Sequence, residues 1–394
     1  METQETLIER VLDNIKERRE KVLKGGINSI PSPFKRFSND FIGIEQGKYY
    51  VITSSSKGAK TQFMSYTFLF EPLLYAFKNR DKLRLKVFYY PLEETPEGVT
   101  RRFISYLLFK LDGLRYSSVK LLSSKEGEVL PEEVLQKLKE NKYQELLKFF
   151  NESIVFGTAR NPTGIYKEIT SYAKDNGELI YKTIETVDEF GNKGTIRKFD
   201  HYIPKDPDLY TLIIVDHVSL LNSEKGKSTK DNIDMFSSEY MVEVRNRYNF
   251  TPVIIQQQSM DSESTDAIKL KRRPSQNTLG DSKYTGRDCN MLIGLFSPAK
   301  VNMSEFFGYN IARLKDNMRF MEIILNRDGI QGGGTALFFD GEVCNFEELP
   351  PASEAAELEK IYKYAENLRR QMHPLVLKAQ TFFTFIINKF KTHE

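Results

Sequence analysis

Tyr49-Tyr50-Val51-Ile52-Thr53-Ser54-Ser55-Ser56-Lys57-Gly58-Ala59-Lys60-Thr61 is the stretch that decides the fold. An apolar run feeds a loop of small residues, the loop ends in Lys-Thr, and a helical pattern follows. This is the architecture of a phosphate-binding loop between a strand and a helix. Loop N–H groups cradle phosphates, the lysine contacts the β/γ-phosphates, and the threonine hydroxyl takes Mg2+. Ser54, Ser55, Ser56, Lys57, Gly58, Ala59, Lys60 and Thr61 are therefore the nucleotide-binding candidates, with Thr61 on the metal. Two positions depart from G-x-x-x-x-G-K-[ST]. Ser54 stands for the first glycine and Ala59 for the second. Ala59 matters more, because glycine there lets the backbone approach phosphate without a Cβ. Gly58, one residue earlier, offsets part of that departure.

Outward from the loop, short apolar runs alternate with longer helical patterns. The runs are 49–53, 85–90, 212–215, 252–256 and 291–296, with helical stretches over 60–80, 96–111 and 232–248. Runs without period-2 alternation, separated by helices, indicate a mostly parallel sheet buried on both faces. Runs 321–325 and 335–339 have no helix between them and read as antiparallel additions at one edge. Residues 113–210 are the least regular part. Within them, 131–150 read as one helix, and 178–202 as a β-hairpin insertion turning at Gly191-Asn192-Lys193-Gly194. Residues 1–24 form an amphipathic helix with Leu7, Val11, Leu12, Ile15 and Val22 on one stripe, ended by Gly25-Gly26. Its partner is either its own domain or a neighbouring subunit. After Pro350-Pro351, helices are expected over 354–372 and 375–390. The expected division is a docking helix (1–24), a motor domain (25–350) and a helical appendage (351–394).

The composition sets limits. The chain has 394 residues and a net charge of +3, from 57 Lys+Arg and 54 Asp+Glu. That balance is the one of a globular protein and excludes a highly basic packaging protein. Any nucleic-acid site must then be local. Cys289 and Cys344 make no disulfide framework, and the four scattered histidines make no metal cluster. No secretory leader or membrane span is expected, which points to the cytoplasm.

A phosphate loop needs carboxylates to support Mg2+ and to orient the attacking water. Asp216 ends the apolar run Thr211-Leu212-Ile213-Ile214-Val215, at the ligand-binding edge of an α/β sheet. It is the Mg2+ candidate. Glu93 and Glu94, after the 85–90 run, are the candidates for the water. Spacing does not separate them, and both also suit the start of the next helix.

The motifs fall in an order that resembles the motor domain of DnaB-like replicative helicases, of superfamily 4, whose fold is RecA-like. The resemblance spans roughly residues 25–350. Pro91-Leu92-Glu93-Glu94 resembles the family's Ser-Leu-Glu-Met segment and so implies that Glu93 is the catalytic glutamate. Ile214-Val215-Asp216-His217-Val218-Ser219-Leu220-Leu221 resembles the Walker B strand. Gln256-Gln257-Gln258 resembles the end of the strand whose glutamine senses the γ-phosphate, which implies that role for Gln258. Asn326-Arg327-Asp328-Gly329 resembles the segment that carries the arginine finger into the next subunit, which implies Arg327. The family's lysine two residues earlier is Leu325 here. Arg273-Pro274 through Leu279-Gly280-Asp281-Ser282 to Asp288 resembles the channel loop that touches DNA. There Gly280 replaces an arginine, Asp281 replaces a glutamate, and Lys283 restores a phosphate contact.

The resemblance implies an ATP- and Mg2+-dependent, hexameric, ring-forming helicase that moves 5′→3′ on single-stranded DNA, with a primase or a loader as further partners. The DNA-binding candidates are Lys271, Arg272, Arg273, Gly280, Asp281 and Lys283, with Tyr284 for base stacking. The family's N-terminal primase-interacting domain is expected to be lacking, and the 1–24 helix stands where the family's linker helix docks on a neighbour. That economy suggests a phage-encoded protein. Two alternatives stay open: another RecA-like DNA-binding ATPase (a recombinase, loader or packaging type), and a degenerate phosphate-loop protein with a structural role.

Overall fold

The computed structural model describes residues 7–126, 129–187, 190, 192–329 and 331–372. Its centre is a nine-stranded sheet. In chain order the strands are β1 (Tyr50–Ser54), β2 (Arg84–Pro91), β3 (Ile154–Phe156), β4 (Leu209–Asp216), β5 (Thr251–Gln257), β6 (Met291–Phe296), β7 (Met318–Asn326), β8 (Gly334–Asp340) and β9 (Asn345–Glu348). In space they run β9-β8-β7-β6-β1-β5-β4-β2-β3. From β6 through β3 every pairing is parallel. β7, β8 and β9 extend the β6 edge antiparallel, as the missing helix between the last runs predicts.

The strands are apolar throughout because the sheet is covered on both faces. Along β1, Ile52 packs on one face and Val51 on the other. Along β4, Leu212 and Ile214 oppose Ile213 and Val215. The helix α1 (Leu7–Leu23) stands ahead of the sheet, and those that follow cover its two faces. α2 spans 60–78 and leads out of the phosphate loop; α3 (Pro96–Asp112) and α4 (Glu132–Leu138) follow, then α5 (Asn141–Ser153), all on the Ile52 side. On the Val51 side lie α6 (Pro162–Asp175) and α7, which spans 229–248. α2 contains a π-helical stretch, Ser65–Phe70, directly before Glu71–Lys78. Pro72 lacks the N–H that a regular turn would send back to Phe68, so the ladder is re-spaced there.

Three sequence readings change. Residues 131–150 form two helices, α4 and α5, rather than one. The hairpin is longer than expected, pairing Gly177–Val187 with Lys193–Pro204. Lys193 and Gly194 pair with Val187 and Thr186, so they lie in a strand rather than in the turn. The region around 113–210, read as irregular, holds the edge strand β3 and helix α6.

The charged side of α1 faces the body. Arg10 pairs with Asp200 of the hairpin at 2.9 Å, Arg18 with Glu45 at 3.5 Å and Lys21 with Asp208 at 2.6 Å. Its apolar stripe is left uncovered by the described chain: Leu12 and Ile15 are each 59% exposed. At the other end, α8 (Ala355–Met372) packs Leu358, Tyr362, Ala365 and Leu368 against Phe296, Phe320 and Phe338. The second tail helix expected over 375–390 lies outside the described residues. No helix among the described residues is long and apolar enough to cross a membrane.

Candidate nucleotide and nucleic-acid site

The phosphate loop leaves the C-terminal end of β1. Ser54 is buried and its hydroxyl donates to the Ser55 carbonyl at 2.8 Å. A Cβ at Gly58 would collide with the Ser54 side chain and with the Ser55 carbonyl oxygen, so the turn requires glycine at 58. Lys57 and Ala59 both take the left-handed conformation, with φ +50° and +74°. Non-glycine residues are uncommon there, so the loop keeps its curvature at a conformational cost. Ala59 stands immediately before the helix that opens at Lys60.

Parallel pairing brings Asp216 to the same edge. Thr61 Oγ1 donates to Asp216 Oδ1 at 3.2 Å, joining two residues 155 positions apart. Asp216 is 1% exposed, and burial, with Glu94 and Glu93 nearby, raises its carboxyl to about 7. Lys60 is also buried. Desolvation lowers its ammonium, against the opposing pull of Glu93, Asp216 and Glu263. A carboxyl held partly protonated beside a lysine and a threonine hydroxyl is a site that a divalent cation and phosphate would complete. Among the described residues no group of three or more His, Cys, Asp or Glu is arranged to hold a metal alone. Thr61 and Asp216 are the paired oxygen donors here that could hold a divalent cation.

The two glutamates after β2 have different surroundings. Glu94 is gripped at both oxygens by Arg102, at 2.8 and 2.5 Å, and accepts from Tyr89 at 3.4 Å. Glu93 has a side chain 60% exposed, with His217 Nε2 at 3.9 Å. Of the pair, Glu93 is free to meet water.

Gln258 is tied into the protein. Its amide donates to Thr53 Oγ1 at 2.6 Å, and its carbonyl accepts from the Thr278 hydroxyl. It thus links β1, just ahead of the loop, to the 275–282 segment. Gln256, two residues earlier in β5, holds that segment as well. It donates to the carbonyls of Gly280 and Ser282 and accepts from Thr285. Sequence reasoning missed Gln256, although its place two residues before Gln258 on a strand was the available signal.

Of the DNA-binding candidates, Lys271, Arg272, Arg273, Asp281 and Lys283 are exposed, and Gly280 is buried against the Gln257 carbonyl. Arg273 pairs with Glu322 at 3.3 Å. The Tyr284 ring is already engaged, with Arg287 at 3.9 Å and Lys230 at 5.2 Å from its centre. Arg327 follows β7 at the sheet edge opposite the phosphate loop. Asn326 pairs with Met291, the first residue of β6, and Arg327 Nε donates to the Cys289 carbonyl at 2.9 Å. Arg327 is therefore not brought to its own chain's loop.

Three further residues at the loop gave no sequence signal. Lys300, after β6, donates from Nζ to the Ser56 carbonyl. Arg319, in β7, is 1% exposed and donates from Nε to the Gly58 carbonyl at 3.0 Å. The Glu263 carboxylate accepts from the Ser56 N–H.

No family model and no curated protein matches the chain. Among solved structures, an ATPase domain aligns with a TM-score of 0.58 at 15% identity, over 88% of this chain and 100% of that one. A DnaB-like replicative helicase, described with its interactions with primase, aligns with a TM-score of 0.55 at 16% identity, over 88% of this chain and 68% of the other. The sheet order, the phosphate loop after β1 and these alignments agree: the chain has the RecA-like fold of the DnaB-like helicase ATPase domain.

Proposed function

We propose that the chain is an ATP-hydrolysing motor that assembles into a ring, hexameric by the family resemblance, and translocates on single-stranded DNA to unwind duplex in replication. The observation that carries this reading is the meeting of Thr61 and Asp216 beside buried Lys60, with Glu93 exposed at the same sheet edge. Bound Mg2+·ATP would supply a polarised γ-phosphate. Lys60 and the loop N–H groups would bind phosphate, Thr61 and Asp216 would hold the metal, and Glu93 would orient water. Gln258 would report phosphate occupancy to the 275–282 segment through Thr278.

Two features support assembly. Arg327 lies at the edge away from its own loop, the position from which a cation reaches a neighbour's nucleotide. The uncovered stripe of α1 fits docking on an adjacent subunit, with residues 25–350 as the motor and 351–394 as an appendage. In this reading the exposed run Lys271, Arg272 and Arg273, together with Lys283, lines a channel, and repetition around a ring concentrates positive charge from a nearly neutral chain. A primase or loader partner, a cytoplasmic location and a phage origin belong to the same proposal.

The test is ATP hydrolysis by the purified protein with and without single-stranded DNA. DNA-stimulated turnover, abolished by Glu93→Gln and by Lys60→Ala, is expected. A second reading, a structural protein with a degenerate loop, is favoured by one observation: Glu263 already occupies a loop N–H. Absence of turnover under every nucleotide and DNA condition selects it.

A further inference from the structure

The two left-handed residues of the phosphate loop share a feature. Lys57 follows the Ser56 carbonyl, and Ala59 follows the Gly58 carbonyl; each of these carbonyls is gripped by a cation from a distant part of the chain. Lys300 takes the first and Arg319 the second. A trans peptide is planar, with its C=O and N–H pointing in opposite directions. Fixing the Ser56 carbonyl therefore fixes the direction of the Lys57 N–H, and fixing the Gly58 carbonyl fixes that of the Ala59 N–H. Each N–H is held pointing away from its cation.

Arg319 is built for such a task. A guanidinium sealed from water is tolerated only when its donors are taken. Nε goes to Gly58, Nη1 to the carbonyls of Asp316 and Met318 at 2.8 Å each and to Ser297 Oγ at 3.3 Å, and Nη2 to the Asp316 carboxylate at 3.1 Å. The guanidinium lies over the Phe339 ring, 4.6 Å from the centre. Contacts at all three nitrogens hold the group in place, and with it the loop carbonyl it binds.

We propose that Lys300 and Arg319 are positioning residues of the phosphate loop, which hold the backbone N–H groups of Lys57 and Ala59 ready for phosphate at positions where glycine would otherwise permit the curvature. This rests on the reading of the loop as a nucleotide site. It also accounts for how a loop with Ala59 in the glycine position keeps its shape: the restraint comes from outside the loop instead of from within.

The test pairs each cation with its own left-handed residue. Lys300→Met and Arg319→Met are made alone and combined with Lys57→Gly or Ala59→Gly. Mg2+·ATP affinity is measured by calorimetry, and φ at 57 and 59 is read from backbone chemical shifts without nucleotide. Loss of one charge-assisted hydrogen bond predicts about tenfold weaker binding for each single variant. Lys300→Met is expected to lose the positive φ at 57, and Lys57→Gly to restore it with the affinity. Arg319→Met is expected to behave likewise with Ala59→Gly, while the crossed pairs stay weak. A general loss of structure would not be repaired in this matched pattern. Unchanged φ at 57 in Lys300→Met, or equal rescue by either glycine, overturns the proposal. Lys300 is only half-buried, so its variant decides the matter even where Arg319→Met does not fold. A wild type that takes up no nucleotide overturns the ATPase reading instead, and the shifts still judge the brace.

Discussion

Asp216→Asn should make the nucleotide-free protein more stable at neutral pH. Asp216 is 1% exposed, and desolvation, with Glu93 and Glu94 nearby, raises its carboxyl from the ordinary 3.8 to about 7. That difference corresponds to about 4 kcal/mol against the folded state once the group is fully ionised. The sign follows from where the proton sits. Between about pH 4 and pH 7 the unfolded chain has lost this proton while the folded chain keeps it. Stability therefore falls as pH rises through that window, by about 1.4 kcal/mol per pH unit, and levels off above 7. Asparagine keeps an oxygen to accept from Thr61 and does not titrate. The stability of Asp216→Asn relative to wild type should thus increase by about 3 kcal/mol between pH 5 and pH 8. Urea denaturation at the two pH values, without nucleotide or Mg2+, reads the gap directly. Adding Mg2+·ATP should stabilise the wild type and leave the variant unchanged. A gap that stays constant from pH 5 to pH 8 would refute the reasoning, because the carboxylate would then be ionised in both states.

Arg102→Met strands Glu94 in a partly buried position and should cost about 2–3 kcal/mol in urea denaturation, with Glu94→Gln recovering part of the loss. Reversing Lys271, Arg272 and Arg273 to glutamate should weaken single-stranded DNA binding. It should also flatten the slope of log K against log salt by about 2, measured by fluorescence anisotropy across a salt series, while nucleotide binding is unchanged. Leu12→Asp with Ile15→Asp should leave subunit stability within about 0.5 kcal/mol, because both side chains are exposed, yet shift sedimentation towards monomer.

The sheet was legible because its parallel strands are buried on both faces and so read as unbroken apolar runs. Tyr50–Ser54 and Leu209–Asp216 announce themselves by composition alone. β3 does not, because three residues at an edge, one of them exposed Val155, carry too little pattern. Helix α6 was readable in principle. Asn161-Pro162 opens it, and Ile165, Ile169 and Ala173 recur every fourth residue along its buried face. The stronger alternation of the adjoining hairpin masked it. At the site, Thr61 and Asp216 could be paired from sequence because both follow or end parallel strands, and such ends share an edge. Glu93 and Glu94 could not be told apart without the family pattern. What distinguishes them physically is Arg102, in the second turn of the next helix. Lys300 and Arg319 were invisible for a different reason. They reach the loop across 244 and 261 positions of chain, and no local spacing encodes contacts made to it from the turn after β6 and from the interior strand β7.

β7 carries Arg319 near one end and is followed directly by Arg327 at the other. The two are eight positions apart, about 26 Å at the usual strand rise. Hydrogen bonding to β6 runs along this segment, with a bulge at Ile324, and β8 pairs with its first part, Met318–Glu322. In a closed ring, the end with Arg319 would rest on one subunit's phosphate loop and the end with Arg327 on the next subunit's nucleotide. The two contacts would then be joined by a β-strand rather than by a loop. A change at one loop would then have a path of paired strand, through β7, to the neighbouring nucleotide.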